Sequence, residues 1–512
     1  EVNAVYAADA YSQASGKTGI AITTAGPGVT NTLSGMAEAL GKGVPVIQIG
    51  GASFLSESDK GALQEIDTVE IMRPVSKWSR RIVETHRIPE YISMAFRHAN
   101  DSSPGPVYLE IPADVLFRSV EEKQVIFPKN YRTNAQPSGD SDLIEIAADL
   151  LAGAEKPTLV TGGNAYVTAE YPAAVNELVN YLSMPVLSTE FERGLFGDES
   201  DLIWKIGAEA VKEADVILML GVNANFRIDY GQTFNKDAKI IQVHTDKTKI
   251  GYNVPADVGI VGASTNVAKL MIEIIKKRIQ KREKSIWVKE LEEKALQSIQ
   301  AVSDINESPM HPAQLAFEVC KFLDNEGRDW NVVIDGGDSG AWVKSLSSAH
   351  RPGQIYRTGP MGIIGTGPGF ALGAWAGNGK PVLYFTGDGS FGYYPMEFDT
   401  FERQGIPLVC VIANDSAWGM VKLTDPLLFP DVVKDNYEGS VGSDLAYMRR
   451  YDKLAPAWDG YGEVVTKVEE VIPAIKRAMK TGKPSIINVQ VGMYDMHAAT
   501  KGYALSFAKH QN

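Results

Sequence analysis

Ten short apolar runs punctuate this chain, and they restrict its fold more than any other feature. They are Gly19–Thr23, Val44–Ile49, Val107–Ile111, Thr158–Thr161, Val216–Leu220, Lys239–Val243, Asn331–Ile334, Val382–Phe385, Leu408–Ile412 and Ser485–Val489. Apolar runs without alternation suit strands covered on both faces. Glycine follows several of them, as at Gly162-Gly163, Gly221 and Gly387. Amphipathic helical stretches separate the runs. Covered strands alternating with helices point to an α/β fold of parallel sheets joined by right-handed crossovers. At 512 residues the chain is too long for one hydrophobic core. Three doubly wound parallel-sheet domains are therefore expected.

Two breaks divide the chain. Gln124–Asp142 contains Phe-Pro-Lys-Asn and Gln-Pro-Ser-Gly-Asp-Ser-Asp, a polar, turn-rich stretch that reads as a linker. Lys276–Glu293 is rich in Lys, Arg and Glu and leads into Ser308-Pro309-Met310-His311-Pro312, an exposed helix followed by entry into another domain. The expected boundaries are residues 1–123, a linker over 124–142, a middle domain over 143–278, a linker helix over 279–312, a third domain over 313–492 and a tail or lid over 493–512.

Composition excludes several classes. Fifty basic and 63 acidic residues leave a net charge of −13, which argues against binding nucleic acid or an anionic membrane. No apolar stretch approaches the ~20 residues of a membrane helix. The first residues, Glu-Val-Asn-Ala-Val-Tyr, lack the basic and apolar parts of a secretory leader. Cys320 and Cys410 alone make no disulfide framework, which fits a reducing cytoplasm. Cys410 lies inside an apolar run and reads as a buried strand residue.

Four segments carry chemistry. In the first, Gly387-Asp388-Gly389-Ser390 closes an apolar run, and 24 residues separate Gly389 from Asn414. The carboxyl edges of strands are where open α/β sheets place ligands. Glycines there let backbone amides approach a phosphate. A helix expected from about Pro395 would add its positive end. The gap accommodates one helix and one strand, so Asp388 and Asn414 would leave neighbouring strand ends and share a hard cation such as Mg²⁺. The same residues also fit two ordinary strand-to-helix turns. The second segment is Gly359-Pro360-Met361-Gly362 followed by Gly365-Thr366-Gly367-Pro368-Gly369. By itself it reads as a glycine-rich loop with a core Met. Gly337-Asp338-Ser339 follows another run. The third is Glu1, an Ala-rich helical stretch, then Gly26-Pro27-Gly28-Val29-Thr30-Asn31. The fourth is Gly61-Ala62-Leu63-Gln64-Glu65-Ile66-Asp67, which by itself reads equally as a surface turn.

Together these segments resemble the thiamine-diphosphate (ThDP) enzymes of the acetolactate synthase and 2-hydroxyacyl-CoA lyase type, from Glu1 to about Val491. The resemblance implies pyrimidine-binding, middle Rossmann-like and diphosphate-binding domains, with ThDP and Mg²⁺ as cofactors. It implies that Asp388, the Asn414 side chain and the Ser416 carbonyl hold Mg²⁺. Gly387, Gly389, Ser390, Gly337, Asp338, Ser339 and Met420 would line the cofactor. Met361 would wedge between its rings, and the Gly359 carbonyl would accept from the aminopyrimidine. Gly26, Pro27, Gly28 and Asn31 would form the pyrimidine-side turn. Glu1 matches the catalytic glutamate, a largely buried carboxyl on the pyrimidine ring. Gln64 matches a glutamine facing the reacting carbons, able to donate to an oxyanion without adding charge.

The implied activity is decarboxylation of a 2-ketoacid followed by carboligation. A 2-hydroxyacyl-CoA lyase or oxalyl-CoA decarboxylase is the alternative, with an acyl-CoA as substrate. A non-catalytic, nucleotide-binding regulatory protein on the same fold is a third possibility. Biosynthetic acetolactate synthases carry a Trp shortly after the Gly419-Met420-Val421 stretch, where this chain has Lys422-Leu423-Thr424. In the middle domain, Gly162-Gly163-Asn164, Leu220–Asn223 and Asp246 are placed to hold FAD or an adenine nucleotide, with Asp246 at a ribose. Family members carry a strand, a helix and an active-site loop before the glutamate, so the resemblance implies that this sequence is a fragment. It also implies a homodimer or homotetramer with active sites between subunits.

Overall fold

The computed structural model describes residues 1–163, 170–189, 193–194, 201–430 and 442–508, with the side chains of 201–204 and 508 excepted. Three all-parallel sheets organise them. The first has the order β1-β2-β4-β3, with β1 Gly19–Thr23, β2 Val46–Ala52, β3 Trp78–Arg81 and β4 Val107–Pro112. The second has the order β6-β5-β7-β8-β9, with β5 Pro157–Thr161, β6 Val186–Ser188, β7 Val216–Leu220, β8 Lys239–His244 and β9 Val258–Val261. The third has the order β11-β10-β12-β13-β15-β14, with β10 Asn331–Ile334, β11 Ile355–Arg357, β12 Val382–Gly387, β13 Leu408–Asn414, β14 Tyr461–Val465 and β15 Ser485–Gln490. Every apolar run of the sequence lies on one of these strands.

The chain divides into two compact units. One holds Glu1–Ala295 with Arg351–Gly353 and Gly359–Gly362, and so the first two sheets. The other holds Leu296–His350, Gln354–Thr358 and the chain from Ile363 onward, with the third sheet. In the second unit, Val332, Ile334, Leu383, Phe385, Val411 and Ile487 pack into a core with Leu315, Val319 and Ile475 from covering helices. Cys410 is buried, as its run predicts.

Register then fixes the site. Along β12 and β13, Thr386 pairs with Ile412 and Gly387 with Ala413. Asp388 and Asn414 therefore leave neighbouring strands at the same edge. The helix expected from about Pro395 is Glu397–Arg403, and an additional helical turn, Asp388–Phe391, precedes it directly after the strand's last residue, Gly387. The strand runs directly into a helical turn, so Asp388 itself opens the first helix. The tail also folds: Ala498–Ala508 is a helix packed against the helix Gly419–Leu428. Among the described residues no helix is long and apolar enough to cross a membrane.

Candidate active site

Three helices begin at one edge of the third sheet. Asp338–Leu346 starts from Gly337, Asp388–Phe391 from Gly387 and Gly419–Leu428 from Trp418. Their first residues surround one cavity of about 350 Å³. It is lined by Gly337, Asp338, Ser339, Gly387, Asp388, Gly389, Ser390, Trp418, Gly419 and Met420, among others. Helix starts present unpaired N–H groups and positive dipole ends, which suits an anion of high charge. Gly389 permits the close packing: a Cβ there would lie 2.7 Å from the Trp418 ring.

Of the two expected ligands, Asp388 lines this cavity, and Asn414 lies behind it at the end of the neighbouring strand. Asp388 is buried, accepting from the Gly389 amide at 2.9 Å and the Ser416 amide at 3.0 Å. Asn414 is fully buried. Its Nδ2 donates to the Arg449 carbonyl at 2.9 Å and to Asn488 Oδ1 at 3.1 Å, and its Oδ1 accepts from the Ser416 amide at 3.2 Å. Those bonds set the amide so that Oδ1 faces the Asp388 side. Ser416 has φ 64°, a left-handed conformation uncommon outside glycine. Its carbonyl accepts from Leu445 N at 2.8 Å, leaving one lone pair for another partner.

Sequence reasoning missed Asp415, although it lies between two expected ligands. It lines the same cavity, and its Oδ1 accepts from Ala417 N at 3.0 Å. Burial, with the Asp415 charge nearby, pushes the Asp388 carboxyl up to about 8. Burial pushes Asp415 up to about 6. A buried and a half-buried carboxylate beside the Asn414 amide oxygen and a backbone carbonyl make an oxygen-only donor set. That set fits a hard divalent cation, whose charge would relieve the pair. Asp335 was missed too. It is buried at the end of β10, and its carboxylate accepts from Gly365 N at 3.1 Å and Gly367 N at 3.0 Å. It thereby folds the second glycine loop.

Glu1, Gln64 and the GPG turn belong to the first unit. Glu1 caps the helix Val2–Ser15, and Asn31 Nδ2 donates to its Oε2 at 3.4 Å. Gly28 lies alongside, its Cβ position 3.5 Å from Glu1 Cγ. Glu1 is exposed in the single chain, whereas the burial that the resemblance implies belongs to a site between subunits. Pro27 starts the next helical turn. Gly26, at φ 55°, touches Gln64: a Cβ there would fall 2.6 Å from the Gln64 carbonyl oxygen. Gln64 is itself left-handed at φ 61°. Gly26 and Gln64 line a second cavity of about 540 Å³ together with Thr68 and Arg81. Met361 is 55% exposed, so it is not a core methionine. The Gly359 amide donates to the Glu38 carboxylate.

At the carboxyl edge of the middle sheet, Gly163 lines a cavity of about 530 Å³ with Asn100, Arg132, Asn134 and Gln136. The buried Gln136 Oε1 accepts no hydrogen bond among the described residues. Asp246 uses its carboxylate on Thr248, at 2.9 Å from the amide and 2.7 Å from the hydroxyl. Asn164 lies outside the described residues.

Comparison with known proteins agrees with this geometry. Residues 1–71 match the N-terminal TPP binding domain of thiamine pyrophosphate enzymes, residues 144–271 their central domain, and residues 335–489 their C-terminal TPP binding domain. A probable acetolactate synthase of Mycobacterium bovis is 30% identical over 491 residues, covering 96% of this chain and 87% of that protein. The 2-hydroxyacyl-CoA lyase 2 of Caenorhabditis elegans is 28% identical over 543 residues, covering 97% and 83%. The human 2-hydroxyacyl-CoA lyase 2 is 27% identical over 540 residues, with the same shares.

Proposed function

Because the chain belongs to the family of thiamine pyrophosphate enzymes, we propose that it is a Mg²⁺-dependent carboligase of 2-ketoacids. In this proposal pyruvate loses CO₂ and the remaining two-carbon unit is joined to a second ketoacid. The observation that carries the proposal is the cavity where three helix starts meet the buried Asp388 and the half-buried Asp415. Bound there, ThDP would let the carbonyl carbon of the ketoacid react as a carbanion.

The chain's own residues have separate tasks. Asp388, Asn414 Oδ1 and the Ser416 carbonyl would hold Mg²⁺. The amides at the starts of the helices from Gly337, Gly387 and Trp418 would bind the diphosphate. The Trp418 ring, seated on Gly389, closes one wall against water. Glu1 would take and return a proton at the pyrimidine ring. Gln64 would donate its amide hydrogen to the ketoacid carbonyl oxygen that becomes negative when that carbonyl carbon is attacked. Glu1 and Met361 are exposed in the single chain. We include a homodimer in the proposal, because a second subunit would cover them. An active monomer in sedimentation would refute that part.

A 2-hydroxyacyl-CoA lyase is the second reading. Leu423 and Thr424 line the cavity where acetolactate synthases carry their Trp, which favours a different substrate. An adenine nucleotide or FAD in the middle domain belongs to this second reading, although the cavity that Gly163 touches is lined mostly by the first domain and the linker, with Ser12, Asn100 and Gln136 among its residues. Absorbance near 450 nm in the purified protein would favour FAD.

One experiment separates the two substrates. The protein is given ThDP, Mg²⁺ and pyruvate and assayed for acetolactate, with Glu1→Gln as control. Acetolactate from the wild type, lowered about 10²–10⁴-fold in Glu1→Gln, supports the carboligase. No acetolactate while ThDP remains bound sinks it and points to 2-hydroxyacyl-CoA substrates, whose cleavage would release an acyl-CoA.

A further inference from the structure

Three ionisable side chains are buried along one face of the helix Leu33–Lys42. Asp9 and Glu38 are 0% exposed and Lys42 3%. Lys42 Nζ lies 2.6 Å from Asp9 Oδ2 and 3.7 Å from Glu38 Oε1. Gln13 Nε2 donates to the other Asp9 oxygen at 2.6 Å. Removing such charges from water costs several kcal/mol per ion, and well-packed apolar residues often serve stability as well or better. Core packing alone does not explain the cluster.

What the cluster holds is a loop. The Gly359 amide donates to Glu38 Oε1. A Cβ on Gly359 would fall 2.4 Å from Lys42 Cγ, so the glycine lies directly on the lysine stem. One residue on, the Pro360 ring packs over Gly41, with its Cδ 3.3 Å from the Gly41 Cβ position. Glu38, Gly41 and Lys42 thus form a seat for Gly359-Pro360 on a single helix. Met361 follows and stands 55% exposed. Asp9 ties this seat to the helix Val2–Ser15, whose cap is Glu1.

We propose that Glu38, braced by Lys42 and Asp9, is a positioning residue for the cofactor's pyrimidine. It fixes the Gly359 peptide, and through it the Gly359 carbonyl and the Met361 side chain. This role rests on ThDP binding as proposed above. Glu38 does not touch substrate or cofactor; it acts through the loop. In Glu38→Leu the loop loses its acceptor, while Lys42 and Asp9 remain as a balanced pair.

The test compares wild type, Glu38→Leu and Glu38→Gln. Hydrogen exchange of the peptide covering residues 355–365 is followed by mass spectrometry in cofactor-free protein. The Kd for ThDP is read from quenching of tryptophan fluorescence. Glu38→Leu is expected to speed exchange of this peptide at least tenfold, with little change elsewhere in the unit. It is also expected to raise the Kd for ThDP at least tenfold while the KM for pyruvate stays within threefold. Glu38→Gln restores an oxygen acceptor, so it should recover most of both losses. Unchanged exchange and Kd in Glu38→Leu would overturn the proposal. So would a lowered melting temperature with the Kd unmoved, since that is what a merely structural residue gives. If Glu38→Leu does not fold, Glu38→Gln decides alone: a Kd more than tenfold above wild type would refute the acceptor role. If wild type binds no ThDP, the functional reading falls and this role with it. The exchange data then still report separately whether Glu38 holds the loop.

Discussion

Acid should expel the proposed cation. Burial beside Asp415 holds Asp388 near about 8, and a metal ligand must shed its proton before it can coordinate. Two pH units below that value only about one carboxyl in a hundred is ionised, and at pH 8 about half are. Apparent cation affinity should therefore fall about 50-fold between pH 8 and pH 6, about 2.3 kcal/mol at 1.36 kcal/mol per decade. Above about pH 9 it should be flat. The sign for stability is opposite in metal-free protein. There the fold binds the Asp388 proton more tightly than the unfolded chain does. The carboxyl's contribution to stability is then full below about pH 4 and is lost as pH rises toward 8. Mn²⁺ is a suitable probe, since it accepts the same oxygen ligands and its paramagnetic resonance signal fades on binding. The titration is done without ThDP, so no phosphate titrates alongside. Two buffers of different ionisation enthalpy in calorimetry would count the released proton, about one at pH 6. Equal affinity at pH 6 and pH 8, with no proton released, would refute the assignment. Asp388→Asn should bind the cation weakly and without pH dependence.

The other expectations follow from packing. Gly389→Ala places a methyl group 2.7 Å from the Trp418 ring, so Trp418 must shift and ThDP affinity should fall at least tenfold in a fluorescence titration. Lys42→Met leaves two buried carboxylates without their cation and should destabilise the protein by about 3–5 kcal/mol. An unaltered melting temperature would contradict the buried cluster. Met361→Ala removes an exposed side chain and should change stability by no more than about 0.5 kcal/mol, while slowing turnover by tenfold or more. A thermal scan beside a kcat measurement separates the two effects.

The fold was legible where strands are central. Every run covered on both faces, such as Leu408–Ile412 in β13, declared itself by unbroken apolarity. The strands that sequence reasoning missed, β3, β6, β9, β11 and β14, all lie at sheet edges. An edge strand faces water on one side and tolerates polar residues. Trp78-Ser79-Arg80-Arg81 in β3 and Tyr461-Gly462-Glu463 in β14 have no signal that a turn lacks. The proposed cation ligands could be singled out because a glycine-flanked Asp and a spaced Asn mark two strand ends. Asp415 was hidden by its place next to Asn414. Glu38 and Lys42 were hidden more deeply: an i, i+4 pair of opposite charge looks like a solvated helix face, and only the packed structure reveals that both are buried.

Backbone strain gives an independent test of which turns serve chemistry. Gln64 and Ser416 both hold left-handed φ angles, a conformation that costs a non-glycine residue about 1–2 kcal/mol. A turn needed only for folding gains by carrying glycine at such a position. At Gln64 the strain relieved by glycine would be offset by about 0.5–1 kcal/mol of extra chain entropy in the unfolded state. Gln64→Gly should therefore leave stability within about 1 kcal/mol of wild type. If the side chain is only a turn residue, activity should survive as well. If its amide donates to the developing oxyanion, kcat should fall about 10²–10³-fold, the usual loss when one such donor is removed. Gly26 lies close to the Gln64 backbone, where a Cβ would meet the carbonyl oxygen at 2.6 Å, and the substitution leaves that neighbour in place. A stable Gln64→Gly protein with undiminished kcat would return Gln64 to the surface turns, and would leave Glu1, Gly359 and Met361 as the first unit's proposed contributions to the site.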